Sequence, residues 1–229
     1  MSRTITQAPS HPGTGPQSMD THQSDPSARF WDRIAKRYAR TPIADVAAYE
    51  KKLEITRQYF DKDSNVLEFG CGTGSTAIAL APFVRRIRAT DISSGMLDIA
   101  RAKVAEANVN NVDFEQASIE SVVVEDGSLD VVMGMSILHL VDARSAAIDR
   151  VWRMLKPGGV FVSSTACLAD SHWFLRPVLP IGRVFGWLPH VAFFTRRELE
   201  ASLTTAGFGV ELSWQPARRK AVFVVARKL

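Results

Sequence analysis

Cysteine is scarce in this chain of 229 residues: Cys71 and Cys167 are the only two. The first lies in a glycine-rich turn and the second just after an expected strand. That placement argues against a structural disulfide and for a reducing, cytoplasmic setting. Long hydrophobic runs are also lacking, and none approaches the roughly 20 apolar residues that a membrane span needs. The N-terminus has no charged start followed by an apolar core, so no secretory signal is expected. With Arg3 set against Asp20 and Asp25 it is a poor transit peptide as well. Excess charge is small. The formal net charge is +4, a mild basicity that permits an anionic ligand but does not demand nucleic acid. No metal site is expected.

What is present is unevenly distributed. Residues 1–26 hold Pro9, Pro12, Pro16 and Pro26, many hydroxyl side chains and almost no large apolar ones. Such a segment cannot bury enough surface to offset its ordering entropy, so a disordered arm is expected there, with Met19 as an alternative start. Residues 27–229 are expected to form one domain, ordinary in its 46% hydrophobic and 23% charged composition. Phe30, Trp31, Ile34, Ala35 and Tyr38 recur at helical spacing behind Ser27, a suitable N-cap. A second helix follows Pro42, with Val46, Tyr49 and Leu53 on its apolar side. These two make up an N-terminal helical region, 27–60.

Beyond it the rhythm changes to short apolar runs alternating with helical patterns. The runs are 65–69, 86–90, 111–115, 129–134 and 159–166, and the helices lie near 74–82, 94–107 and 143–155. This alternation predicts an α/β, doubly wound, mostly parallel sheet with helices on both faces. Thr195-Arg196-Arg197-Glu198 reads as a capping box that starts another helix. Two last runs, 208–215 and 221–227, flank Pro216 and the basic turn Arg218-Arg219-Lys220. They predict a C-terminal antiparallel hairpin and bring the sheet to seven strands.

The first strand leads straight into Gly70-Cys71-Gly72-Thr73-Gly74-Ser75. Glycines there let the backbone turn sharply and approach a ligand. A dinucleotide site would want a third glycine where Ser75 stands, so the pyrophosphate reading loses a key residue. The second strand ends on Asp91, about 20 residues further on, where a carboxylate can accept from both hydroxyls of a ribose. That feature calls for a nucleoside without choosing which one.

Val66-Leu67-Glu68-Phe69-Gly70-Cys71-Gly72-Thr73-Gly74 resembles the first motif of class I S-adenosylmethionine-dependent methyltransferases. Thr90-Asp91-Ile92-Ser93 with Met96-Leu97 is similar to the family's second-strand motif. Leu155-Lys156-Pro157-Gly158-Gly159 is similar to its turn into strand five. The resemblance spans roughly 65–165, and its flavour is that of the group methylating small molecules and quinone-like lipids. It implies S-adenosylmethionine as cofactor, with Glu68 and the backbone at Gly70 and Gly72 on the methionine part and Asp91 on the ribose. Ser118 and Ile119 would frame the adenine, and Met96 would cover its other face; Cys71 and Ile92 fall beside the same ligand. Family members commonly carry an acid where Ser118 stands.

The fourth strand delivers Ser136 to Leu140 to the sheet edge, and His139 is the candidate base for a hydroxyl acceptor. Its alternative is a packing role, and His172 and His190 are weaker candidates. No Asn/Asp-Pro-Pro-Tyr/Phe segment follows this strand, which argues against planar nitrogen acceptors in nucleic acid or protein. Residues 168–194 are rich in Trp, Phe and Leu, with Arg176 and Arg183 among them. One reading is a lid over an apolar acceptor pocket that also makes peripheral membrane contact. The other is a cap buried against the sheet. The function expected is methyl transfer to a small, apolar or quinone- or lipid-like acceptor. A nicotinamide-dependent oxidoreductase and a non-catalytic S-adenosylmethionine-binding protein are the alternatives.

Overall fold

A computed structural model describes residues 25–171, 190–217 and 219–229. The parallel strands β1 (Asn65–Phe69), β2 (Arg86–Asp91), β3 (Val112–Gln116), β4 (Leu129–Met135) and β5 (Leu155–Thr165) are joined by β6 (Phe208–Trp214) and β7 (Val222–Lys228). The sheet order is β3-β2-β1-β4-β5-β7-β6. β7 inserts antiparallel between β5 and β6, so the expected hairpin is present and completes the seven strands.

Alternation along the strands explains the two layers. Successive side chains point to opposite faces, so Leu67, Phe69, Val132 and Phe161 join one core while Val66, Val131, Met133 and Val162 join the other. The first core is covered by α5 (Arg144–Met154), through Ile148 and Val151, and by Leu199 and Leu203 of a late helix, Arg196–Thr205. The second is covered by α3 (Ser75–Leu80) and α4 (Ser94–Glu106), through Leu80 and Leu97. The central parallel strands β1, β4 and β5 are largely buried on both faces and so read as near-continuous apolar runs, whereas β2 and β3 are partly exposed.

The late helix starts on the expected capping box: Glu198 N–H donates to Thr195 Oγ1, and Thr195 N–H donates to Glu198 Oε2. The N-terminal boundary differs from expectation. Helix α1 runs Pro26–Arg40 and is capped by Asp25, which accepts from Ser27 N–H at 2.7 Å, so Ser27 is inside the helix. Pro26 is at the first helical position, where its fixed φ and missing N–H cost nothing. The helix therefore begins one residue before the expected domain start at Ser27, and residues 1–24 lie outside the described residues. Strand β5 also begins earlier than expected, because Leu155 pairs with Leu129 across an irregularity in register.

Helix α1 is pinned to α4. Asp32 Oδ1 accepts from Ser93 Oγ at 2.7 Å and from Gly95 N–H at 2.9 Å, while Ser93 Oγ caps α4 by accepting from Met96 N–H. Two of the four orphan donors at the start of α4 are thereby satisfied, one by its own cap and one by α1. Helix α2 (Val46–Arg57) follows. Of the expected lid or cap at 168–194, the structure describes a short helix at Leu168–Ser171 and the run 190–194, and the remainder lies outside the described residues.

Candidate functional site

Strand order reverses between β1 and β4, the place where α/β sheets collect ligands beyond their strand ends. A cavity of about 770 Å³ opens there, within the range of small-molecule sites. Its floor is made of strand ends: Phe69 and Gly70 from β1, Asp91 and Ile92 from β2, Ala117 to Glu120 after β3, and Met135 and Ser136 from β4. Helix α1 adds Trp31 and Tyr38, two rings packed edge to face at 6.1 Å.

Seven of the nine expected cofactor residues line this cavity: Gly70, Gly72, Asp91, Ile92, Met96, Ser118 and Ile119. Asp91 is buried, and its carboxylate is fixed by two backbone donors, Gly72 N–H to Oδ2 at 2.8 Å and Ser93 N–H to Oδ1 at 2.9 Å. Each oxygen keeps a further lone pair for a diol. Burial raises the Asp91 pKa, the backbone donors of Ser93 and Gly72 oppose that, and Asp32 adds to the rise. Burial also raises the phenol of Tyr38, with Asp91 contributing to the same shift. Gly72 has φ +54°, and a Cβ built on it meets nothing within 4 Å, so the open space of the cavity begins at its backbone. The Ser118 hydroxyl is held in a local turn with Ser121, whereas the neighbouring Glu120 is exposed in the wall.

Two expected cofactor residues are absent from the lining. Cys71 is buried, and its N–H donates to the Thr90 carbonyl, tying the glycine turn to β2. Glu68 is fully buried behind the wall; burial, and then Asp91, push its carboxyl up to about 8, and its Oε2 has no hydrogen-bond partner. His139 also lies off the cavity lining. It sits on a 3-10 turn, Leu138–Leu140, with Nδ1 3.1 Å from Thr165 Oγ1, and burial lowers its pKa to about 4. An imidazole held there is neutral at pH 7 but a poor proton acceptor. What it provides is an anchor, since its carbonyl accepts from Ala192 N–H at 2.8 Å.

The wall also contains residues that the sequence reading passed over. Asp25, Glu120 and Asp142 join Asp91 to give four carboxylates, with no Lys or Arg among the described lining residues. Ser136 sits at the tip of β4 with φ +61°, a left-handed conformation uncommon outside glycine. His190, named from the sequence as a weaker candidate base, also lines the cavity, with Nδ1 2.7 Å from Asp142 Oδ1. Among the described residues no group of three or more His, Cys, Asp or Glu could hold a metal ion.

The charge of this wall discriminates between nucleoside cofactors. A dinucleotide would place its pyrophosphate against four carboxylates with no Lys or Arg among the described lining residues, and Ser75 stands where the third glycine of a pyrophosphate turn belongs. A sulfonium is cationic, and the same carboxylates favour it. The site is a cavity at the strand ends of an α/β sheet whose described carboxylates suit a positively charged ligand.

Comparison with known proteins agrees. Residues 66–159 match the family model described as a methyltransferase domain. The chain is 32% identical over 117 residues to an uncharacterised methyltransferase, YcgJ, of Bacillus subtilis; the alignment covers 51% of this chain and 44% of that protein. It is 34% identical over 121 residues to the demethylmenaquinone methyltransferase of Lactococcus lactis, covering 51% and 44%. It is 27% identical over 191 residues to a ubiquinone/menaquinone biosynthesis C-methyltransferase of Campylobacter jejuni, covering 72% and 79%. The chain thus spans less than half the length of the first two relatives. Among solved structures, that of YcgJ superimposes with a TM-score of 0.66 at 20% identity, covering 78% of this chain and 98% of the other, a likeness of fold. Residues 66–159 are thus similar to a methyltransferase domain and the fold is that of YcgJ, which agrees with the resemblance to class I S-adenosylmethionine-dependent methyltransferases and with S-adenosylmethionine as the ligand to test.

Proposed function

We propose that this chain transfers the methyl group of S-adenosylmethionine to a small, uncharged, largely apolar acceptor of the quinone or lipid-like kind. The observation that carries the reading is the composition of the cavity wall. Trp31, Met135, Ile137, Leu140 and Val141 provide apolar surface beyond the nucleoside half, and the charged side chains among them are acids. An anionic acceptor would be repelled by those acids, whereas a neutral ring or chain buries apolar area at roughly 25 cal/mol per Å². The quinone-biosynthesis relatives support the same acceptor class.

When bound, the cofactor supplies an electrophilic methyl on a sulfonium, so the protein's work is mostly placement. In this reading Asp91 holds the ribose diol, the backbone at Gly70 and Gly72 lets the methionine portion lie close, and Met96 and Ile119 enclose the base. Glu68, behind the turn, supports it as a buried group rather than as a wall contact. Trp31 and Tyr38 on α1 close the mouth and keep water from the acceptor.

A mass-spectrometric assay with trideuteromethyl-labelled cofactor tests this. A short-chain hydroquinone and a carboxylate of the same size are offered in parallel. Label on the hydroquinone and none on the carboxylate is the expected result. Label on the carboxylate alone would overturn the acceptor class.

A further inference from the structure

We propose that the hydroxyl of Ser136 hydrogen-bonds an oxygen substituent of the acceptor, a ring hydroxyl or carbonyl other than the atom that is methylated. The inference rests on the methyl-transfer reading of this cavity and adds to it the requirement for that oxygen. Ser136 follows Met135, the last residue of β4, where strand order reverses between β1 and β4. It lines the cavity and is exposed. The wall on either side of it is apolar, made of Met135, Ile137, Leu140 and Val141. Its N–H donates to the Ser164 carbonyl at 2.6 Å, and among the described residues no hydrogen bond engages its hydroxyl.

The backbone that holds this hydroxyl is fixed on both sides. β4 and β5 are in register here, with Met135 opposite Ser164, and Lys52 Nζ of α2 donates to Ser164 Oγ at 2.9 Å. Beyond Ser136, His139 N–H donates to Thr165 Oγ1 at 3.2 Å and Leu140 N–H to the Ile137 carbonyl at 2.7 Å. The Ile137 side chain covers two glycines: a Cβ built on Gly70 would come within 2.5 Å of it, and one on Gly134 within 3.2 Å. Between these anchors Ser136 is held at φ +61°. Glycine adopts that conformation freely, whereas a residue with a Cβ is strained there. A strained residue persists where the surrounding structure enforces it, and such residues cluster at ligand sites. What this serine offers that a glycine would not is a hydroxyl aimed from a rigid strand tip.

The class of ligand follows from the surroundings. A serine hydroxyl both donates and accepts, so it fits a neutral ring oxygen as carbonyl or as hydroxyl. An acceptor that enters an apolar stretch of wall gives up the hydration of its oxygen, and the Ser136 hydroxyl replaces the lost bond. An acceptor without that oxygen leaves the Ser136 hydroxyl unpaired once water is displaced, which is how a polar group in a pocket rejects an analogue that lacks its partner. The bond also orients the ring about the β4 tip, so that one ring position is presented to the methyl group.

The test uses the full chain, the variants Ser136→Ala and Ser136→Gly, and two acceptor probes: a short-chain hydroquinone and the phenol that lacks its second hydroxyl. The wild type should use the hydroquinone with a kcat/KM about 10-fold above that of the phenol, the effect of one hydrogen bond between neutral groups. Both variants should lose this preference by slowing on the hydroquinone alone, with affinity for S-adenosylhomocysteine unchanged. Their stabilities should diverge, with Ser136→Gly, relieved of strain, melting about 2–4 °C above Ser136→Ala. A loss of preference shared by two variants of different stability belongs to the hydroxyl and not to the fold. A wild type that uses both probes equally, or variants that keep the preference or slow on both probes alike, would overturn the role of Ser136 and leave the acceptor class standing. A wild type that binds S-adenosylhomocysteine but methylates neither probe would overturn the acceptor class, and the role of Ser136 with it.

Discussion

Replacing Gly72 with alanine adds one methyl group at a position where the protein itself offers it no neighbour within 4 Å. The substitution has two costs that can be separated. The first is conformational: φ is +54°, and an L-residue held in the left-handed region costs about 1–2 kcal/mol, partly offset by the lower entropy of the unfolded alanine chain. A net cost of about 1 kcal/mol lowers the melting temperature by about 2–4 °C in a domain of this size. The second cost is paid only by the complex, because the methyl occupies cavity space that the cofactor needs. Overpacking by a methyl costs about 1–3 kcal/mol, or roughly 5- to 150-fold in affinity. Gly127→Ala is the matched control. Its φ is +67°, its added Cβ also meets nothing within 4 Å, and it is not part of the cavity wall. Both variants should melt a few degrees early, and calorimetric titration with S-adenosylhomocysteine should show weakened binding for Gly72→Ala alone. Equal affinity in the two variants would refute the placement of the cofactor against the Gly72 backbone.

Three further outcomes are expected. Asp91→Ala should weaken cofactor binding by about 100-fold, since two hydrogen bonds to a charged acceptor contribute roughly 1.5 kcal/mol each at the low end; unchanged calorimetric affinity in a folded variant would contradict the ribose assignment. Asp32→Ala removes two hydrogen bonds that fasten α1 to α4 and should cost about 2 kcal/mol, seen as a melting temperature lower by about 4–8 °C and as faster amide exchange in α1. Glu68 has its pKa raised in the fold, so between the ordinary value of 4.5 and about 8 the folded chain holds a proton that the unfolded chain has released. Stability should therefore fall as pH rises through that window, and the slope should flatten in Glu68→Gln; identical pH profiles in chemical denaturation would show that Glu68 does not titrate as its burial implies.

The parts of the fold that were legible in the sequence were those set by local pattern. Val66 to Phe69 alternate between two buried faces and so form a wholly apolar run broken only by Glu68. The capping box at Thr195 and Glu198 needs only four residues to announce itself. Where two local signals competed, the outcome was less legible: Ser27 and Asp25 both suit an N-cap, and Pro26 between them reads equally well as the end of an arm or the first residue of a helix. In the site, motif positions such as Gly72 and Asp91 were readable because strand ends place them. The acidic wall was not, because Asp25, Glu120 and Asp142 come from three segments whose convergence is tertiary. The same holds for His190, paired with a partner 48 positions away. His139 was the natural choice by chain position, and its burial beside Thr165, off the cavity lining, could not be read from the sequence.

The central claim is that the glycine turn and Asp91 hold a sulfonium nucleoside rather than a dinucleotide. Calorimetric titration of the wild-type chain with S-adenosylmethionine and, separately, with NAD tests it most directly. The account predicts micromolar binding of S-adenosylmethionine with one site per chain and no heat of binding from NAD. Tight binding of NAD with none of S-adenosylmethionine would contradict it.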